Sequence, residues 1–427
     1  MRYQTIPEKL FSKNREKILS KLPSNSSAVV FSNPQMPRNG DLFFPYRQNS
    51  DFFYLTGIDQ EKSILILTNQ TNWTNKTYLF ILNPRPEIEQ WEGRKLRKAE
   101  ATQISGIDVV EYVEEFESIW NSLAKKSDHI FYNVNANPRL KTELHLPDEI
   151  FGEEIVSKYP DKDVQCLAPI LSQCRIVKEP EEIALIKQAC NITKDAFLEI
   201  LPRIHAGMYE YEIEAIMTDC FIRNGAGAHA FEPIISNGRN TCYLHYIKND
   251  RQLVDGNLIL MDFGSEYANY ASDCTRSMPV SKRFTKRQKE VYNAVYRVFK
   301  EIRAKIVPGT TIAEYQQYTC LLIQDELLGL GLLTKEMIEN QNETPAYFKY
   351  FMHGVSHFIG LDTHDVGDKK DVLQAGMVVS CEPGLYIFEE NIGIRLEDTI
   401  LVTPTGSKDL MEGIPLDCEE IEQLMNQ

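Results

Sequence analysis

Three apolar runs in the second half of this 427-residue chain carry an acid where a buried strand would have to hold it. Asp262 closes Leu258-Ile259-Leu260-Met261, Glu382 follows Val378-Val379-Ser380-Cys381, and Glu397 stands inside IGIRLEDTILV. A carboxylate taken out of water is costly unless it is paired or bound to a cation, so any fold that buries these strands must also compensate the acids. Asp273 and His357 complete a set of four carboxylates and one imidazole. That oxygen-rich set suits two adjacent divalent cations such as Mn²⁺ better than a structural zinc. A pair of cations roughly 3.5 to 4 Å apart can hold a bridging hydroxide for attack on a carbonyl or phosphoryl centre, which points to a hydrolase.

The spacing of the ligand candidates supports this. In NLILMDFGSEYANYASDCTRSMPV, Asp262 and Asp273 are 273 − 262 = 11 residues apart, and a hairpin through Gly264-Ser265-Glu266 brings them side by side. Isolated aspartates are more often turn or cap residues, and the distant His and Glu segments reverse that reading. HGVSHFIGLDTHDVG places His353, His357 and His364, three of the chain's eight histidines, within twelve positions. Such clustering goes with metal ligation or proton transfer. His353 and His357 have i, i+4 spacing, but there is no HExxH glutamate, and Gly354 and Gly360 weaken a helix, so strand and loop are expected. Arg395 lies two residues before Glu397 and on the same strand face; alone the two read as a buried structural pair, together with the other groups as part of a site.

The chain exceeds the ~250 to 300 residues beyond which single cores divide, so two domains are expected. Residues 1–172 alternate strand-like runs (Ser27–Ser32, Ser63–Thr68, Thr77–Leu82) with amphipathic stretches such as Glu111–Leu123, as an α/β domain would. The second domain, 173–427, opens at Lys178-Glu179-Pro180 with proline and acids in a first helical turn. Its helices are expected near 180–201, 209–224, 285–306 and 311–330. The net charge of −15 disfavours a nucleic-acid partner. Nine scattered cysteines without CxxC pairs read as reduced and buried. No run approaches the ~18 apolar residues of a membrane span, and the N-terminus lacks a signal-type apolar core, so a cytoplasmic location without membrane association is expected.

Taken together, MDFG, SDCTRS, HGVSHFIGLDTHDVG, CEPGLY and GIRLEDT resemble the metallopeptidase family that holds aminopeptidase P, prolidase and methionine aminopeptidase. Pro45 to Gly57, PYRQNSDFFYLTG, resembles the aminopeptidase P signature, so the likeness spans essentially the whole chain. It implies an α/β two-domain fold: an N-terminal α/β domain of the creatinase/aminopeptidase P type and a C-terminal pita-bread α+β catalytic domain with an internal pseudo-twofold. The activity implied is removal of the N-terminal residue from peptides with proline at the second position, by attack of a hydroxide bridging two divalent ions, Mn²⁺ for preference. By the same resemblance Asp262 chelates one ion, Asp273 and Glu397 bridge both, and His357 and Glu382 complete the second, with Glu382 also the general base. His245 would steady the tetrahedral intermediate and His364 would contact the substrate carbonyl and shuttle protons. His353 would line the proline pocket, Tyr386 and Arg395 would orient ligands, and Asp41 and Trp91 would help close the site, in some relatives that of a neighbouring subunit, which implies a homodimer or homotetramer.

Two departures stand out. Phe231 occupies a position where some relatives carry a tyrosine, and the connections His364–Glu382 and Tyr386–Arg395 are shorter than in many bacterial relatives, with Lys369 and Lys370 the basic residues near a place where relatives often set an arginine. Prolidase, limited to Xaa-Pro dipeptides, is the alternative function. Methionine aminopeptidases usually lack so large an N-terminal domain, non-catalytic members of the fold lose ligands that are intact here, and a two-metal phosphodiesterase would need a phosphate-binding loop that is absent.

Overall fold

The computed structural model describes residues 3–137, 139, 140, 142, 144–341 and 343–427. They form two compact units, Gln4–Arg175 and Ile176–Gln427, the latter joined by Tyr3. The first unit is built on a mixed six-stranded sheet in the order Val110–Tyr112, Thr77–Ile81, Ile64–Thr68, Ser26–Phe31, His129–Tyr132, Asp163–Cys166. Its strands are the short apolar runs of the sequence. One core gathers Val29, Ile66, Phe80 and Ile130 from the sheet with Phe116, Trp120 and Leu123 from the helix Phe116–Lys126. The amphipathic stretch from Glu111 starts as strand and passes through a 3-10 turn, Val113–Glu115, so the helix begins only at Phe116. Extended pairing of Leu79 with Val110 and of Ile81 with Tyr112 overrides the helical period there.

PYRQNSDFFYLTG has a local physical meaning. Asn49 caps the helix Ser50–Thr56 by accepting from the Phe52 amide at 3.0 Å, and Gly57 ends it at φ 65°, where an added Cβ would lie 2.3 Å from the Phe11 ring. Buried Arg15 and Asn14 donate to the end carbonyls of Leu55 and Tyr54 at 2.7 and 3.0 Å.

The second unit repeats one order of elements twice. Helices Pro180–Ile200 and Glu210–Arg223 precede an antiparallel sheet Ile234–Asn237, Leu258–Phe263, Cys274–Pro279; helices Lys286–Arg303 and Ile312–Gly329 precede a second, Val378–Cys381, Asp398–Thr403, Gly406–Asp409. Threonine caps with a glutamine or glutamate three residues on start the second pair of helices, at Thr285 and Thr311. Between the two sheets Thr275 and Glu397 exchange backbone hydrogen bonds of 3.4 and 3.0 Å.

Leu258–Phe263 and Cys274–Pro279 pair as a hairpin, with Asp262 opposite Thr275 and Phe263 opposite Cys274. Its turn lies further on than Gly264-Ser265-Glu266, at Ala268-Asn269, both with positive φ, because short strands Ser265–Tyr267 and Tyr270–Ala271 prolong it. Gly264 is where the two arms cross: a Cβ there would stand 1.8 Å from the Ser272 carbonyl oxygen. Gly264→Ala should therefore destabilise the fold by at least about 3 kcal/mol, as an unrelieved backbone clash does. Thermal unfolding measures this, and a melting temperature equal to that of the unsubstituted protein contradicts the crossing.

Candidate active site

Strand ends deliver the acids. Asp262 is the penultimate residue of Leu258–Phe263, Asp273 immediately precedes Cys274–Pro279, Glu382 directly follows Val378–Cys381, and Glu397 lies in the link between Ile392–Arg395 and Asp398–Thr403. His357 comes from a helix-free stretch, as the glycines led one to expect. This stretch is tied to the Val378 strand by Tyr315 Oη donating to Ser356, Ser356 Oγ donating to the Ser380 carbonyl at 2.6 Å, and the His357 amide donating to Ser380 Oγ at 3.0 Å.

The five groups converge. His357 Nε2 lies 3.3 Å from Asp273 Oδ2, 3.6 Å from Glu382 Oε1 and 4.0 Å from Glu397 Oε1. Ligand atoms of Asp273, His357 and Glu397 all fall within 4.8 Å of one another. His357 Nδ1 faces the Phe358 carbonyl at 3.0 Å, a contact that needs the proton on Nδ1 and leaves the Nε2 lone pair pointing at the carboxylates. Acceptor thus faces acceptor. Oδ1 of Asp262, Oδ1 of Asp273 and Oε1 of Glu397 are buried without a hydrogen-bond partner. Burial, then neighbouring Asp262 and Glu382, pushes the Asp273 carboxyl well above the ordinary range, and burial with Asp273 does the same to Glu397. Burial also raises Glu382, opposed by His357 and Arg395. Orphaned buried oxygens around one lone pair fit divalent cations, which would satisfy every acceptor at once.

A hydrogen-bond chain centred on Arg395 runs beside this cluster. Arg395 Nη2 donates to Asp262 Oδ2 at 2.5 Å, Nε to Thr275 Oγ1 at 3.1 Å and Nη1 to Tyr386 Oη at 2.9 Å. Thr275 Oγ1 in turn donates to Glu397 Oε2 at 2.6 Å, so a hydroxyl links Arg395 to Glu397. Tyr386 Oη reaches His353 Nε2 at 2.9 Å, and His353 Nδ1 donates to the Gly354 carbonyl at 2.8 Å. Burial, with Arg395 next, pushes His353 down to about 3, so the ring is neutral and its Nε2 accepts from tyrosine.

His364 lies beside the cluster, its ring edge-on to His357 at 4.3 Å between centroids. His245 is exposed, yet it is among the charges that depress His353. Its loop is anchored by buried Glu210, which accepts from Tyr246 Oη at 2.8 Å and the Arg251 amide at 3.0 Å. Lys369 also depresses His353, and its Nζ would lie 2.8 Å from a Cβ at Gly354, while Lys370 is exposed. Phe231 packs near Gly264. Asp41 and Trp91 belong to the first unit and are exposed, Trp91 to 89%; Asp41 sits at the tip of the hairpin Pro37–Phe43. Sequence reasoning missed the hydroxyls Thr275 and Ser380, the latter donating to Glu382 Oε1 at 3.2 Å. Strand alternation held the signal for both, since Thr275 is two residues from Asp273 and Ser380 two from Glu382.

Residues 184–404 match metallopeptidase family M24, and residues 11–132 match the aminopeptidase P N-terminal domain. The chain is 34% identical over 436 residues to the Xaa-Pro aminopeptidase of Haemophilus influenzae, covering 99% of this chain and 98% of that protein. It is 33% identical over 440 residues to the Xaa-Pro aminopeptidase of Escherichia coli, covering 98% of each. Among solved structures it is similar to E. coli aminopeptidase P with the inhibitor Pro-Leu and to the zinc-substituted E. coli enzyme in complex with product; each has a TM-score of 0.90 and 31% identity and covers 99% of both chains.

Since burial raises the carboxyls of Asp273, Glu382 and Glu397, the folded metal-free protein retains protons that the unfolded chain loses near 3.8 to 4.5. The contribution of these three groups to stability is therefore most favourable below that range and declines as pH rises toward the folded-state values. Divalent cations replace those protons. The melting-temperature gap between metal-loaded and metal-stripped protein should widen between about pH 5 and pH 8; a gap that is constant or narrows contradicts the assignment.

Proposed function

Since the chain belongs to metallopeptidase family M24, we propose that it removes the N-terminal residue from peptides whose second residue is proline. The observation that carries the reading is the convergence of His357 Nε2 with buried, unsatisfied carboxylate oxygens, in a chain that aligns end to end with two Xaa-Pro aminopeptidases. Those relatives favour an aminopeptidase over a dipeptidase. Asp262, Asp273, His357, Glu382 and Glu397 would hold two divalent ions, Mn²⁺ for preference given the hard carboxylate donors. Such ions supply Lewis acidity and a water whose pKa is lowered toward neutrality.

The remaining work falls to side chains. Glu382, held by Ser380 and poised 3.6 Å from His357, takes the proton of the attacking water and returns it to the leaving proline nitrogen. A carboxyl raised by burial is suited to both transfers. His364 and His245 are the donors for the substrate carbonyl as it gains charge. Neutral His353, fixed by Tyr386 and Gly354, offers a ring face without charge to proline. Proline has no N–H to satisfy and a fixed φ, so it can be selected by shape. Lys369, beside Gly354, is placed to meet downstream carbonyls or a carboxylate. Asp41 and Trp91 would act in closing the site within a homodimer or homotetramer. Among the described residues no helix is long and apolar enough to cross a membrane, and the cysteines stand as free thiols; a cytoplasmic peptidase is the location we assign.

Hydrolysis of Ala-Pro and Ala-Pro-Pro-Ala by the Mn²⁺-loaded protein tests the reading. Alanine should be released from the longer peptide, and Glu382→Gln should lower kcat by about 10²- to 10⁴-fold. Cleavage of the dipeptide alone would make the protein a prolidase. No cleavage of either peptide at full metal content would remove the peptidase reading.

A further inference from the structure

The connector Ile176-Val177-Lys178 carries a lysine whose side chain is 1% exposed, a rare state for an ammonium group. Lys178 Nζ donates to Asp365 Oδ2 at 2.9 Å, and the Asp365 side chain is 2% exposed. Asp365 directly follows His364. Removing two charges from water costs several kcal/mol per ion, and well-packed apolar residues generally replace such a pair without loss of stability. A dry ion pair at this place therefore argues for fixed geometry rather than for stability.

The surroundings say what it fixes. The Asp365 amide donates at 2.9 Å to the Phe358 carbonyl, the same oxygen that receives His357 Nδ1. Gly360 is flush against the pair: an added Cβ would stand 2.2 Å from Asp365 Oδ2 and 3.0 Å from Lys178 Cε. The Gly360 carbonyl accepts from the Ala271 amide at 2.8 Å, two residues before Asp273. On the other side, the Lys178 amide donates to the Gly376 carbonyl at 2.9 Å, so the lysine is held by its own backbone. The turn 360–365 is thus clamped between Lys178 and the hairpin that carries Asp273, and His364 projects from it.

We propose that Lys178 is a positioning residue for His364: its buried ion pair with Asp365 holds the turn so that the His364 ring stays against His357 and in reach of a substrate carbonyl. The proposal rests on the reading that His364 acts on the substrate. A histidine displaced by about 1 Å can lose up to 10²-fold in rate, so a clamp outside the site can matter as much as a contact within it.

A double-mutant cycle tests this on the full-length, Mn²⁺-loaded protein with Ala-Pro-Pro-Ala, with metal content and melting temperature recorded for each variant. Lys178→Met should lower kcat about 10- to 100-fold with KM little changed. In a His364→Ala background the same substitution should cost less than about twofold, because the group it positions is gone. Equal factors in the two backgrounds, or an unchanged kcat for Lys178→Met, overturn the proposal. If His364→Ala itself matches the unsubstituted enzyme, the role of His364 on the substrate is wrong and the proposal falls with it, while the peptidase reading stands on the activity of the parent. Should Lys178→Met not fold, Asp365→Asn, which keeps shape and removes one charge, is carried through the same cycle with the same criteria.

Discussion

Four carboxylates are desolvated around one imidazole, and the rest of the second unit is arranged to make that tolerable. Arg395 compensates Asp262, yet the buried oxygens on Asp262, Asp273 and Glu397 still lack partners. Leaving such groups unmatched costs about 1–3 kcal/mol each, more when charged. A fold that keeps three of them together needs a strong compensating term, and divalent cations supply one.

The scaffold answers by immobilising what it does not neutralise. Thr275 and Glu397, exchanging backbone hydrogen bonds, stitch the two sheets where the ligands meet. Behind them Arg276, fully buried, pairs with Asp398 at 2.7 Å and donates to the carbonyls of Thr275 and Glu397 at 2.9 and 2.7 Å. Two arginines therefore converge on Thr275. Arg395 works from the ligand side, Arg276 from the core side, and Glu397 has little freedom to move.

Much of this was legible in the sequence because burying an acid is expensive. Asp262, Glu382 and Glu397 stood out in apolar runs for the same reason that they converge in space. The long helix from Pro180 was legible from its proline and first-turn acids, and the one from Lys286 from its period. What stayed hidden depends on distance in three dimensions. Arg395 and Glu397 share a strand face in the sequence, and only the fold places Thr275 between them. The hairpin turn was misplaced because Gly264 looked like a turn glycine, whereas it is a crossing glycine without space for a Cβ. Lys178 read as a domain boundary, and nothing within its own segment tells of Asp365, 365 − 178 = 187 residues away. The repeated order of two helices and three strands was equally silent, because its two copies share packing rather than residues.

The proposed role of the cluster is to hold two divalent ions. Equilibrium dialysis of the stripped protein against Mn²⁺ at neutral pH, with metal counted by mass spectrometry, tests it most directly. The account predicts two equivalents per chain, falling below one when Asp273→Asn and Glu397→Gln are combined. Less than one equivalent bound by the unsubstituted chain, or full binding by the double variant, would contradict it.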